Sequence, residues 1–146
     1  MIPGDDVVMS DHSRPYHLYN VNDCEIRERL GIGIQFLISP DQGGNQMLSQ
    51  GIIHVEPGYS TTMHVHRYSG ETFYGMEGKG EIVIAGQVVP CHAGEHIVFI
   101  PPGVPHAPRN PDRQQTFRAM FVHTPAIIDG DTYTVDMGGN PLEGEK

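Results

Sequence analysis

The sequence predicts an all-β fold, a sandwich or barrel of antiparallel strands, and three observations carry that reading. About eight short segments have strand character, separated by turn signals roughly every 8–12 residues. Glycine (18) and proline (12) are abundant, as a chain of many tight turns requires. No helical periodicity runs beyond about two turns. An immunoglobulin-like sandwich is disfavoured, because its Cys…Trp…Cys core needs a Trp and this chain has 0.

In order, residues 1–15 are polar and irregular and read as an arm. Asp23 is expected to cap a short turn before Arg29, and Gly31 and Gly33 stop any long helix. Strands are expected over 32–39 and 47–56, separated by the loop SPDQGGNQ and closed by the Pro57-Gly58 turn. The segment 58–78 reads as strand, turn, strand (71–76), followed by a turn over 77–80. A hairpin around Gly86 joins 79–85 to 87–90, and 92–94 is a turn. A short apolar strand at 96–100 precedes a proline-rich region, 101–111, which reads as a rigid turn. The last core strand is expected at 116–123. The tail has one candidate strand, 132–136, and ends in GGNPLEGEK, expected to be mobile.

At 146 residues the chain is one domain. The expected division is 1–38 for the arm and first strands, 39–125 for the barrel and 126–146 for a partly mobile extension. No apolar run approaches the ~20 residues of a membrane span, and the N-terminus lacks a secretory pattern. The formal charge of −9 argues against nucleic acid and anionic membranes. Cys24 and Cys91 form no CxxC and suggest idle thiols in a reduced, cytoplasmic protein.

The nine histidines stand out. His64 and His66 are two apart, so on a strand both point to one face, and Glu71 follows in the same segment. Two imidazoles and a carboxylate form half a shell for a divalent transition metal, or merely surface histidines on a hairpin. His106 sits among Pro101, Pro102 and Pro105, on a stiff element that suits a ligand. His54 and His123 lie on apolar strands. Each is a candidate fourth imidazole, general base or substrate donor, or a core histidine bonded to backbone. If either is a ligand, Glu71 becomes a base or an outer partner. His12, His17, His92 and His96 read as solvent-exposed. Arg67 and Arg109 lie near the ligand turns, where either could meet a carboxylate.

Taken together, the two segments resemble the paired signature motifs of the cupin superfamily. Gly58, His64, His66, Glu71 and Gly78 match the first at every spacing. Gly94, Pro101, Gly103, His106 and Asn110 match the second, with one extra residue after Gly94. The resemblance implies a jelly-roll barrel of two antiparallel sheets, with one divalent metal held by His64, His66, Glu71 and His106. Zinc is favoured over Fe(II), Mn, Ni or Cu. It also implies a homodimer, with 1–38 available for the contact. Phe73 stands where the family often has Tyr, which favours a hydrophobic substrate. Strand parity turns Glu71, Phe73 and Gly75 inward and Tyr74 out.

Within cupins, His64, His66, Tyr68, Ser69 and Glu71 are similar to the small polyketide cyclases of the resistomycin type, which close rings by aldol condensation. This resemblance implies an enzyme acting on an enolisable, mostly apolar carbonyl compound, with Glu71, His54 and His123 as proton-moving candidates. A non-haem Fe(II) dioxygenase and a non-enzymatic small-ligand-binding cupin are the alternatives.

Overall fold

The computed structural model describes residues 14–142. The first thirteen residues, including His12 and most of the expected arm, and the last four lie outside the described residues. Within them the chain forms a 3-10 turn, Val21–Asp23, and eleven strands. These are β1 (Ile26–Arg29), β2 (Ile32–Ile38), β3 (Ser49–Val55), β4 (His64–His66), β5 (Gly70–Glu77) and β6 (Lys79–Ile84). They continue as β7 (Gln87–His92), β8 (Ile97–Ile100), β9 (His106–Arg109), β10 (Phe117–Thr124) and β11 (Thr132–Thr134). No helix among the described residues is long and apolar enough to cross a membrane.

Two antiparallel sheets result. One has six strands in the order β1-β2-β3-β10-β5-β8, the other five in the order β11-β4-β9-β6-β7. The expected all-β architecture of two antiparallel sheets is therefore present. Their inner faces pack Ile53, Val55, Phe73, Ile82, Phe117 and Phe121 into a common core. Alternation along β10 is clean: Phe117, Ala119, Phe121 and His123 are buried and the residues between them are not. The period of two thus carries His123 to the inner face with the core aromatics.

Three local expectations are corrected. Asn20, not Asp23, caps the 3-10 turn, because its side-chain oxygen accepts from Asn22 N at 2.9 Å. The turn before β6 is tighter than expected, with Gly78 alone between two strands, at φ +80°. The proline-rich region is not all turn, since 106–109 form a strand between β4 and β6. Pro108 is tolerated there because what it offers is its carbonyl, which accepts from Thr61 N at 2.9 Å. A proline has no N–H to give, and none is required of it.

The ends of the chain are built into the sheets. The segment 1–38 supplies β1 and β2 to the six-stranded sheet, and 126–146 supplies β11 to the other. β11 pairs with β4 in the register Thr132↔His66 and Thr134↔His64. This places a strand of the tail directly beside the H-x-H pair.

Candidate metal centre

Both sheets contribute to one buried polar cluster. Register places His123 opposite Glu71 on the six-stranded sheet and His64 opposite His106 on the other. These four residues and His66 are all buried, none more than 5% exposed. Donor atoms of His64, His66, Glu71 and His106 all lie within 4.8 Å of one another. Glu71 sits at the centre. Its Oε1 lies 3.2 Å from His66 Nε2 and 3.0 Å from His106 Nε2, and its Oε2 lies 2.7 Å from His123 Nε2.

The outer ring nitrogens explain how the cluster is poised. His64 Nδ1 donates to Thr62 O at 2.8 Å, and His106 Nδ1 to Val104 O at 2.9 Å. His66 Nδ1 faces Asp131 Oδ2 at 3.1 Å and Thr132 Oγ1 at 3.0 Å. An acceptor at Nδ1 keeps the proton there and leaves Nε2 as a lone pair. Two of those lone pairs, on His66 and His106, point at a carboxylate oxygen that has only lone pairs of its own. Acceptor facing acceptor is unfavourable unless a cation lies between them. The donor set therefore fits a divalent metal on its own chemistry.

His123 differs. Its Nδ1 is buried and without a hydrogen-bond partner, so nothing holds a proton there. The proton belongs on Nε2, donated to Glu71 Oε2.

Charge follows the same pattern. Burial alone would push the Glu71 carboxyl up, but His123 beside it, whose Nε2 lies 2.7 Å from Oε2, outweighs that effect. The net result is a carboxyl held well below its ordinary range. Burial, then repulsion from His106 and His66, lowers His64 to about 3, so it stays neutral and able to bind a metal at ordinary pH.

His64, His66, Glu71 and His123 line a cavity of about 1040 Å³, a volume at the upper end for small-molecule sites. Its walls include Ile34, Phe36, Ile53, Phe73, Phe121 and Ile127. Tyr74 is 45% exposed, as the parity argument required.

A family model for the cupin domain matches residues 51–123. The chain belongs to the cupin family. Among curated proteins, the cupin is 29% identical over 100 residues to "Polyketide synthase CurC" of Streptomyces cyaneus, covering 68% of this chain. It spans 64% of that relative's length. Among solved structures it resembles a Cupin 2 conserved barrel domain protein from Salinispora arenicola. There the TM-score is 0.63 at 28% identity, over 76% of this chain and 90% of that one. Oxalate decarboxylase from Bacillus subtilis superposes with a TM-score of 0.69 at 17% identity, over 86% of this chain and 34% of that one. At that identity it shares the fold alone.

The other sequence candidates fall elsewhere in the cupin. His54 is not in the cavity: it lies on the other face of β3, where its Nε2 meets Gln35 Oε1 at 3.0 Å. Parity decides this, because Ile53 and Val55 on either side of it face the core. Arg67 lies over the Tyr133 ring at 4.2 Å, and Arg109 pairs with Glu81 at 2.7 Å.

His92, Glu95 and His96 form a second cluster on the turn before β8. There His96 Nδ1 accepts the backbone N–H of His92 at 2.9 Å, which spends its lone pair and leaves the proton on Nε2. Sequence reasoning missed Asp131, wholly buried and bonded to His66. No motif marks it in IIDGDTYTV.

Proposed function

We propose that this cupin is a metal-dependent enzyme acting on an enolisable, mostly apolar carbonyl compound, with aldol cyclisation of a poly-β-ketone as the favoured reaction. The observation that carries the proposal is the set of three imidazoles with Nδ1 acceptors that hold their protons outward, converging on a buried carboxylate beside a large cavity walled in part by apolar side chains. His64, His66 and His106 would hold one divalent ion, with Glu71 Oε1 as the fourth donor. Zinc is favoured, and Fe(II), Mn, Ni and Cu share the same ligand preferences. The ion would supply Lewis-acid polarisation of a carbonyl oxygen.

The remaining chemistry belongs to side chains. Glu71 Oε2 and His123 Nε2, 2.7 Å apart, form the proton-handling pair. The carboxylate takes a proton from the carbon beside a ketone, and the resulting enolate adds to a second carbonyl of the same chain. The new alkoxide then recovers the proton from the pair. Ile34, Phe36, Ile53 and Phe121 exclude water and give the chain an apolar surface on which to fold. Similarity to a protein named as a polyketide synthase supports this substrate class.

We further propose a cytoplasmic homodimer. The outer face of the six-stranded sheet presents Tyr74, Ile97 and Phe99, the last two 70% and 60% exposed. The charged side chains Arg118 and Glu77 pair with each other at 2.7 Å, so two acidic copies could meet there without facing unpaired carboxylates. Segment 1–38 would add to the contact.

The test is turnover of a synthetic poly-β-ketone by metal-stripped and zinc-reconstituted protein, with dissolved oxygen recorded in parallel. Zinc-restored ring closure without oxygen uptake supports the proposal. Uptake with Fe(II) would establish the dioxygenase reading instead, and tight binding without turnover would establish a binding module.

A further inference from the structure

We infer that Asp131 is a positioning residue for the metal centre: its carboxylate holds the proton on His66 Nδ1 and so presents His66 Nε2 as a lone pair. The inference rests on the metal reading above for its function, and on hydrogen-bond geometry for its chemistry.

The three converging imidazoles are not equivalent. His64 and His106 each donate to the carbonyl two residues earlier in their own chain, Thr62 O and Val104 O. His66 does not. Its Nδ1 meets, beside the Thr132 hydroxyl at 3.0 Å, a carboxylate 65 residues away in sequence at 3.1 Å, and of the two only the carboxylate is bound to act as an acceptor. A carboxylate is a stronger acceptor than a carbonyl, and it makes the imidazole a more electron-rich ligand. His66 is thereby the strongest donor of the three.

The carboxylate is itself fixed. Asp131 Oδ1 accepts from Tyr68 N at 2.7 Å and Ser69 N at 3.2 Å, while Oδ2 serves His66. The Asp131 carbonyl also accepts from Arg67 N at 2.8 Å. Asp131 therefore orders both the turn between β4 and β5 and the ring at the end of β4. It lies outside the family match, which ends at residue 123.

The variant to make is Asp131→Asn. The amide oxygen can still accept from Tyr68 and Ser69, but the amide N–H₂ then confronts His66 Nδ1–H, donor against donor. Relief comes by moving the His66 proton to Nε2, the atom a metal needs free. Two measurements follow on metal-free protein: the His66 tautomer by long-range ¹H–¹⁵N NMR, and zinc affinity by titration against a competing chelator.

We expect wild type to show the Nδ1–H tautomer and the variant the Nε2–H tautomer, with zinc affinity lower by roughly 10–100-fold. Asp136→Ala is the control. It removes the oxygen that accepts from Gly138 N and Asn140 N in the same tail, away from the cluster. A general role of the tail in folding would lower zinc affinity in both variants, and that result overturns the inference. An Nε2–H tautomer at His66 in wild type also overturns it, whether or not Asp131→Asn folds. If wild type binds no zinc but shows the Nδ1–H tautomer, the metal reading fails while the hydrogen-bond assignment stands.

Discussion

His123 donates from Nε2 to Glu71 Oε2 across 2.7 Å, while the other carboxylate oxygen, Oε1, faces the bare nitrogens of His66 and His106 at 3.2 and 3.0 Å. One carboxylate thus has two unlike sides, one met by a proton and one by lone pairs. That division separates ligand from proton carrier and sets the first expected outcomes.

His106→Ala and His64→Ala each remove one of the converging lone pairs. Bound metal, measured by elemental analysis after dialysis, is expected to fall from about one ion per chain towards zero, with affinity reduced at least ~100-fold. Retention of full occupancy by either variant would refute the ligand assignment.

His123→Ala should behave differently. It keeps the three outward-locked imidazoles, so metal remains bound, while turnover drops by about 10²–10⁴ through loss of proton transfer. His54→Ala, on the other face of β3 with Gln35, is expected to leave turnover unchanged. Equal losses in the two variants would contradict the separation.

Acid should destabilise the metal-free protein in a defined window. His64 in the unfolded chain takes a proton near its ordinary 6.5, but in the folded chain only at about 3. The unfolded state therefore binds more protons between those values. Stability is complete above that range and is lost as pH falls from 6.5 towards 3, by a total on the order of 3–5 kcal/mol. Glu71, whose folded carboxyl titrates well below 4.5, adds a further loss as pH drops below that value. Urea midpoints across pH 7 to 4 measure the slope, and His64→Gln is expected to flatten it.

Gly80 lies against the face of Phe117, which is fully buried, and an added Cβ would fall on the ring. Gly80→Ala should cost about 1–3 kcal/mol through overpacking. That corresponds to a fall in Tm of several degrees, roughly 2–4 °C per kcal/mol in a chain of this size. No change in Tm would mean that the two sheets yield more easily here than their packing implies.

Light scattering should find two 16.1 kDa chains per particle. The double variant Ile97→Lys, Phe99→Lys, placing charge on the exposed outer face, is expected to yield monomers. A dimer that survives both lysines would assign the contact to another surface.

Much of this centre is legible in the chain because strands have a period of two. That period put His64 and His66 on one face and turned Phe73 in and Tyr74 out, as found. It could not choose between His54 and His123, since Ile52 and Ile53 are both apolar and both buried, leaving β3 without a visible polar face. Proline misled at β9, where local stiffness was legible but pairing with β4 and β6 was not. Asp131 was beyond reach for a plainer reason. Its meaning lies in the register between β11 and β4, and nothing within its own neighbourhood in sequence announces that pairing.

The β11–β4 pairing also bears on how pieces of this protein can be made. A fragment cut at the family boundaries, 51–123, would contain all four proposed metal donors and still lack the residue that orients one of them. It would also lose β1 and β2 from the six-stranded sheet. Expression pieces and chimaeras should therefore run from before residue 26 to beyond residue 136. In this chain the smallest unit that can be transplanted with its chemistry intact is larger than the domain that names it.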